Sequence, residues 1–259
     1  MTHQTDSLRR RLVAGLLLLL VAPWASSHAA DAAPQKVLVF GGTGHLGSEI
    51  VQRLLDHGHE VTVFARPGSD RGRLQGLPVR YIEGDLLDAA GVAAAFEKHR
   101  FDTVVLAVRV KTRDIHFYEK ILPPIVTGAK VAGVRHIIHH GAVGAGRNLE
   151  RFAGLGWERI PGLLDLLKDQ GAGEDILRAG GVPWTIIRNG RVYPVGTPPT
   201  GKAALTEDDS VLTPMTRADL AILTLGCLGN RGCIDKTFHV RDTSLPWPAP
   251  GLPPYTAPE

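Results

Sequence analysis

Cysteine is scarce in this 259-residue chain, which has only two, Cys227 and Cys233. A framework of several disulfides is therefore excluded, and a metal site built from more than two thiolates is excluded with it. Charge of one sign is also scarce, because 29 Lys and Arg face 26 Asp and Glu. Residues 1–30 carry two of the three net positive charges, so the rest of the chain is nearly neutral. A surface that follows nucleic-acid phosphates needs more positive charge, and we expect no nucleic-acid partner.

A hydrophobic run long enough to cross a bilayer is missing too. The apolar run 12–22 ends at Pro23 and falls well short of the roughly 20 residues that a membrane helix needs. It follows Arg9-Arg10-Arg11 and precedes small residues that end at Ala30. This order is typical of a secretory signal, so we predict a signal peptide over 1–30 and an exported protein, periplasmic or extracellular. An uncleaved signal that anchors the chain in a membrane is one alternative, and a buried core helix is another.

What the chain does contain is an alternation of short apolar runs and helical stretches. Parallel strands covered on both faces read as continuous apolar runs, and four to six residues are too few for a helix. The predicted strands are 37–40, 60–64, 79–82, 103–108, 136–139 and 184–187, and a helix with apolar residues at 50, 51, 54 and 55 is followed by helical stretches at 89–99, 116–132 and 160–179. This pattern predicts an α/β fold: a single Rossmann-type doubly wound parallel sheet with helices on both faces, over residues 36–242. A small substrate-side part should complete that domain, and a Pro-rich tail should occupy 243–259.

A glycine-rich turn follows the first strand directly. In its GxxGxxG spacing Gly41 permits the tight turn, Gly44 lets the backbone approach a pyrophosphate, and Gly47 lets the helix pack close to the strand. Helix N–H groups and the helix dipole then favour phosphate at this point. The predicted contacts in this turn are Gly41, Thr43, Gly44, His45, Leu46 and Gly47. The alternative is a structural turn in another α/β fold.

The end of the second strand indicates which dinucleotide binds. NAD usually meets a carboxylate there, whereas this chain has Arg66. A guanidinium suits a 2′-phosphate, so we expect NADP(H) in preference to NAD(H), although Arg66 could also be a solvated turn residue. Asp85 follows the third strand, where it could bind the adenine amino group or cap the next helix. We also expect Leu86 and Ala107 to contact the cofactor.

Several stretches together resemble a known family. They are Gly41–Gly47, Arg66, Gly84-Asp85, residues 133–138, residues 173–188 and Thr216-Arg217-Ala218-Asp219-Leu220-Ala221. In this order they are similar to the atypical short-chain dehydrogenase/reductases, and more narrowly to the NmrA-like and flavin/biliverdin-reductase-like NAD(P)H-binding group. The resemblance covers roughly residues 36–242. It implies the fold and the cofactor, but it says less about the reaction, because the group includes reductases, isomerases, assembly factors and redox sensors.

The chain departs from this family where proton transfer is expected. Typical members have a serine after the fifth strand and a Tyr-x-x-x-Lys on the next helix. This chain has no serine in His139-His140-Gly141-Ala142, and Leu164 stands four residues before Lys168. The resemblance implies that Lys168 binds the nicotinamide ribose; a surface lysine is the alternative. A tyrosine-driven alcohol dehydrogenase is therefore not expected.

Histidine is a candidate to replace the missing acid, because its ordinary pKa lies near neutrality. We expect His139 and His140 at the carboxyl end of a central strand, pointing to opposite faces. We take His140 as the candidate catalytic or substrate-contacting residue. A hydrogen-bonded structural role and a metal site shared with His136 are the alternatives, and we expect no metal. His116, Tyr118 and Tyr193 could line the pocket or simply be core and loop residues.

Reduction of a conjugated acceptor chiefly needs a positioned hydride donor, so it tolerates loss of the Ser/Tyr pair. The sequence thus predicts an NADPH-binding oxidoreductase-like protein whose small-molecule substrate is a flavin, quinone or enone type of acceptor. The alternative is a non-catalytic NADP(H)-binding sensor or scaffold. We also predict that Cys227 and Cys233 form a disulfide across their tight turn, in keeping with an oxidising compartment. Two buried free thiols are expected if the protein is cytosolic.

Overall fold

The chain folds around one eight-stranded sheet, as a computed structural model shows for residues 33–110 and 116–246. The predicted signal segment 1–30 and most of the predicted tail 243–259 lie outside the described residues. The strands are β1 (Lys36–Phe40), β2 (Glu60–Ala65), β3 (Arg80–Glu83), β4 (Thr103–Leu106), β5 (His136–Ala142), β6 (Trp184–Asn189), β7 (Ala204–Thr206) and β8 (Lys236–Arg241). The helices are α1 (His45–Asp56), α2 (Ala89–Lys98), α3 (Phe117–Val131), α4 (Leu163–Ala179) and α5 (Arg217–Cys227).

The strand order is β3-β2-β1-β4-β5-β6-β8-β7, and every neighbouring pair is parallel except β7 with β8. The order reverses between β1 and β4, because the chain adds β2 and β3 on one side of β1 and all later strands on the other. Ligands of open α/β sheets bind at such a reversal, beyond the carboxyl ends of the strands. The predicted doubly wound parallel sheet is confirmed.

Two hydrophobic cores cover the two faces of the sheet, because successive strand residues point to opposite faces. One core packs α1 and α5 against residues such as Val37 and Val39. The other packs α2, α3 and α4 against residues such as Leu38 and Phe40. Burial on both faces is why the strands read as continuous apolar runs in the sequence.

Strand β5 extends three residues beyond the predicted 136–139, to Ala142. Gly141 and Ala142 still pair in register with Arg188 and Asn189 of β6. His139 and His140 therefore lie inside the strand, and their expected place at its carboxyl end was wrong. They do point to opposite faces, as expected.

A buried ion pair ties α4 to the sheet. Glu174 is fully buried and accepts hydrogen bonds from Arg188 of β6, the shorter being 2.6 Å from Nη2. Arg178, one helical turn further along α4, adds a second contact at 2.8 Å. Removal of one partner of such a cluster is costly, since it leaves a buried charge uncompensated.

The predicted disulfide is present between Cys227, at the end of α5, and Cys233, with 5.5 Å between the Cα atoms. It closes the turn that leads into β8. Within residues 33–110 and 116–246, no helix is both long and apolar enough to cross a membrane.

Candidate functional site

The glycine turn joins the carboxyl end of β1 to the amino terminus of α1. Gly41 has a φ of +80°, and a Cβ on it would lie 2.5 Å from the carbonyl oxygen of Ala107. A Cβ on Gly47 would lie 2.1 Å from the carbonyl oxygen of Gly41. Both glycines are therefore required by the chain's own packing. The same contact places Ala107, just after β4, beside the turn.

Gly44 differs from its two neighbours, because its surroundings are open. It is exposed and has a φ of −75°, and a Cβ there would meet only the Gly41 carbonyl oxygen, at 3.2 Å. It caps α1 without any side-chain hydrogen bond, and the first turn of α1 has no acidic residue. The turn thus offers an approachable helix amino terminus without competing negative charge, and this arrangement fits a dinucleotide pyrophosphate.

The ends of β2 and β3 lie beside this turn in the sheet order. Arg66 directly follows β2, is exposed, and forms no ion pair with any residue of the described segments. Arg71, in contrast, binds Glu83 at 2.6 Å and lies over the ring of Tyr81. Arg66 is therefore available to an added anion, whereas the guanidinium of Arg71 is already engaged.

Asp85 and Leu86 follow β3. Asp85 is exposed and accepts a hydrogen bond from the backbone N–H of Leu87 at 3.0 Å. The cap of α2 is Asp88, whose side chain accepts from the N–H of Ala90, so the alternative that Asp85 caps this helix was wrong. Leu86 packs against the core on the α2 side. The structure thus brings the predicted cofactor-binding residues to one edge of the sheet, at the ends of β1 to β4.

His140 lies apart from the predicted cofactor-binding residues. It is 4% exposed, and its Nε2 lies 2.9 Å from Oγ1 of Thr224 on α5. Its Nδ1 lies 3.4 Å from Oδ1 of Asn189. Burial lowers the pKa of His140 to about 4, so the ring is neutral near pH 7. This geometry favours the structural alternative for His140.

His139 is buried on the opposite face against Tyr118, with the rings edge to face and 6.0 Å between centroids. Its two ring nitrogens have no hydrogen-bond partner among the described residues, and burial lowers its pKa to about 4. Tyr118 is a core residue whose hydroxyl donates to the carbonyl of Val108 at 3.0 Å, and burial raises its pKa. Both residues are only 1% exposed and belong to the interior.

Two further candidates have local partners. His116 Nδ1 lies 2.6 Å from Oε2 of Glu119, and the hydroxyl of Tyr193 donates to the carbonyl of Pro246 at 2.9 Å. Tyr193 also accepts, through its own carbonyl oxygen, a hydrogen bond from Arg217. These contacts fit loop residues.

Lys168 is exposed on α4 and lines a cavity of about 650 Å³. Leu164, four residues earlier on the same helix, lines it as well. The opposite wall comes from residues 146–158, which follow β5, and no residue of the glycine turn takes part. Lys168 and the glycine turn therefore do not line the same cavity.

Three residues that the sequence did not single out shape this region. Asp169 is 3% exposed and accepts hydrogen bonds from the backbone N–H groups of Tyr118 and Glu119, so it caps α3 from α4. Gly171 of α4 touches Gly146, since a Cβ on Gly171 would lie 2.3 Å from the Cα of Gly146. Their partners lie far away in sequence, and no local pattern indicates them.

Across residues 33–110 and 116–246, no group of three or more His, Cys, Asp or Glu side chains could hold a metal ion. His136, one member of the suggested pair with His140, instead bonds Oγ1 of Thr185 through Nε2 at 2.8 Å.

Comparison with known proteins agrees with this geometry. A curated relative, sterol demethylase protein B of Methylococcus capsulatus, is 34% identical over 113 residues, which are 42% of this chain and 34% of that protein. The matched stretch is thus about a third of that relative's length. Among solved structures, the anaerobillin reductase ChuY of Escherichia coli O157:H7 is 20% identical, with a TM-score of 0.68 over 85% of this chain and all of that one. A short-chain dehydrogenase/reductase of Veillonella parvula in complex with NADP is 13% identical, with a TM-score of 0.67 over 84% of this chain and 99% of that one.

These two solved structures have the fold that the strand and helix pattern predicts. The family model described as NAD(P)H-binding matches residues 41–231, which begin at the first glycine of the turn and end beyond α5. This match spans most of the sequence, and the chain therefore belongs to the NAD(P)H-binding family.

Proposed function

We propose that this protein is an NADPH-dependent reductase that acts on a small conjugated acceptor of the flavin, quinone or enone type. The observation that carries the proposal is the open glycine turn, where Gly44 leaves space at a helix amino terminus that its cap residue does not cover with a side chain. The dinucleotide, when bound, supplies a hydride. The residues of the chain would hold its phosphates, orient its adenosine half and limit the access of water.

Arg66 supports the choice of NADP over NAD. It follows β2, where the adenosine ribose lies in this fold, and its guanidinium has no ion-pair partner in the described part of the chain. A 2′-phosphate would provide one, with bidentate geometry. The similar fold of a protein in complex with NADP agrees with this assignment.

The choice of acceptor follows from which proton donors are absent. Among the described residues at the end of β5, Ala142 and Val143 offer no hydroxyl, and Leu164 and the buried His140 offer no acid at the surface. A conjugated acceptor can take its proton from solvent, whereas carbonyl reduction benefits from a positioned acid. ChuY, a protein of similar fold, is described as an anaerobillin reductase, and this supports the proposal that the chain is a reductase.

The same absence of an acid favours the second candidate, a non-catalytic NADP(H)-binding sensor or scaffold. The deciding experiment is titration of the purified chain with NADPH and NADH, followed by nicotinamide fluorescence, and then addition of flavin and quinone acceptors. Saturable NADPH binding with acceptor-dependent NADPH oxidation supports the reductase. Binding without turnover supports the sensor, and absence of binding rejects both.

We also propose that the protein is exported. The order of residues 1–30 and the Cys227–Cys233 disulfide support this location, because disulfides persist in oxidising compartments. Fractionation of cells, with mass determination of the amino terminus, tests it. A full-length chain in the cytoplasm would reject it.

A further inference from the structure

The cavity beside β5 has an aromatic wall. The rings of Phe152 and Trp157 stack with 5.3 Å between centroids and 22° between planes. His239 of β8 stacks on Phe152 as well, at 6.4 Å and 18°. Phe152 is buried, whereas Trp157 is half-buried and lines the cavity. Buried neighbours therefore hold the wall in place, and part of the Trp157 side chain is accessible to a planar ligand in the cavity.

The rim of this cavity carries two cations without partners. Lys168 of α4 and Arg147 of the segment after β5 are both exposed, and neither forms an ion pair within residues 33–110 and 116–246. The rim also has three acids, of which Glu150 forms no ion pair with another described residue. The other two already contact arginines, in the pairs Asp175–Arg178 at 2.8 Å and Glu158–Arg159 at 3.8 Å. Unpaired positive charge therefore exceeds unpaired negative charge here, and an anionic group is favoured.

The position of the cavity suits an acceptor. It lies between α4 and residues 146–158, next to the carboxyl end of β5, and this edge of an α/β sheet is where ligands bind. Its volume of about 650 Å³ lies within the range of small-molecule sites.

We propose that this cavity is the acceptor site, and that it takes a planar conjugated molecule with a carboxylate or phosphate group. The ring lies against Trp157, and the anionic group binds Lys168 and Arg147. This assignment rests on the proposed reductase function, but binding of the acceptor can be measured without turnover.

Flavin mononucleotide and riboflavin are matched probes, because they share one ring system and differ by a phosphate. Quenching of flavin fluorescence measures their affinities, with NADP⁺ at saturation so that the glycine turn is not available to the phosphate. We expect the mononucleotide to bind more tightly than riboflavin by a factor of about three or more, because an exposed ion pair contributes that much to affinity.

Two kinds of variant distinguish the contribution of the flavin ring to affinity from that of the phosphate. Trp157→Ala should weaken both probes by about tenfold or more, whereas Trp157→Phe, which keeps an aromatic face, should retain most of the affinity. Lys168→Gln should lower the preference for the mononucleotide, because only Arg147 then remains for the phosphate, and it should leave riboflavin binding unchanged. Lys98→Gln, at an exposed lysine of α2, is the control and should change neither affinity.

The outcomes distinguish this proposal from the proposed function. If Trp157→Ala and Lys168→Gln leave both affinities unchanged, the acceptor binds elsewhere and the cavity assignment is overturned, even when NADPH oxidation proceeds. If the variants act as expected but NADPH is never oxidised, the cavity is a flavin-type binding site and the reductase function is rejected instead.

Discussion

At the scale of single residues, the three glycines of the nucleotide turn have different tasks. Gly41 and Gly47 are fixed by contacts within the chain, and Gly44 faces outward. The GxxGxxG pattern does not distinguish these glycines, but substitutions at Gly44 and Gly47 should affect different properties, nucleotide affinity in one case and stability in the other.

Gly44→Val should still fold, because φ is −75° and a Cβ would meet only the Gly41 carbonyl oxygen, at 3.2 Å. Its free energy of unfolding should fall by about 1 kcal/mol, since valine is a poorer helix cap than glycine. We expect NADPH affinity to fall by at least about tenfold, since the side chain occupies the space next to the helix amino terminus. Gly47→Ala should lower the free energy of unfolding, by roughly 1–3 kcal/mol for overpacking. Urea unfolding and NADPH titration of both variants check this. Equal nucleotide affinity in Gly44→Val and the wild type would contradict the assignment of the turn.

Arg66→Gln should weaken NADPH binding and leave NADH binding unchanged, because only NADPH carries the 2′-phosphate. The expected loss is about 1.5–3 kcal/mol, the usual size of a hydrogen bond to a charged group, which is more than tenfold in affinity. Arg73→Gln serves as the control, since Arg73 is also exposed in the same loop and lies 3.8 Å from Asp70. A parallel loss of NADH affinity would assign Arg66 to a general rather than a phosphate-specific role.

At the scale of elements, α3 depends on a cap supplied by α4. The residue before α3, His116, makes no capping hydrogen bond with its side chain. The carboxylate of Asp169 accepts from two backbone N–H groups of its first turn, at 3.0 and 3.2 Å. The two helices are thereby locked in register on one face of the sheet.

Asp169→Asn should lower the free energy of unfolding by about 1–2 kcal/mol, because the amide loses the negative charge that the helix amino terminus favours and can satisfy fewer donors. Chemical denaturation measures the change. Glu97→Gln, on the exposed side of α2, should stay within about 0.5 kcal/mol of the wild type. Equal effects of the two substitutions would show that the cap is not a stabilising contact.

Comparison of elements also shows how far the sequence could predict the molecule. The six parallel strands from β1 to β6 and the glycine turn were predicted, because apolar runs and turn glycines are local signals. Strand β7 has three residues and pairs antiparallel at the edge, so it leaves no periodic signal. The hydrogen bond that holds His140 in the interior could not be predicted, because its partner Thr224 lies 84 residues away. The aromatic wall of the cavity could not be predicted from the sequence either, because it depends on how residues 146–158 pack against α4.

At the scale of the whole molecule, three buried histidines of β5 make stability depend on pH. Burial lowers the pKa of His136, His139 and His140 to about 4 each. The folded state therefore binds fewer protons than the unfolded chain, whose imidazoles titrate near 6.5. Their contribution to stability is fully present above about pH 6.5 and is lost as the pH falls toward 4.

We expect the free energy of unfolding to decrease by several kcal/mol between pH 7 and pH 4.5, measured by urea titration at each pH. His139→Leu should reduce this dependence, and it should cost little at pH 7 because the imidazole nitrogens have no hydrogen-bond partner to lose within the described segments. His57→Gln, at an exposed histidine after α1, is the matched control. A pH profile of His139→Leu identical to that of the wild type would exclude His139 as a contributor.

The contact between Gly146 and Gly171 has a consequence for how new activities could arise in this molecule. Gly146 and Gly171 lie so close that neither has room for a side chain. A methyl group at either position would push α4 away from the segment that follows β5. A library randomised at these two codons would sample variants with a wider cavity entrance and an unchanged nucleotide turn. Selection for binding of dyes larger than a flavin would show whether variants with a wider entrance still fold.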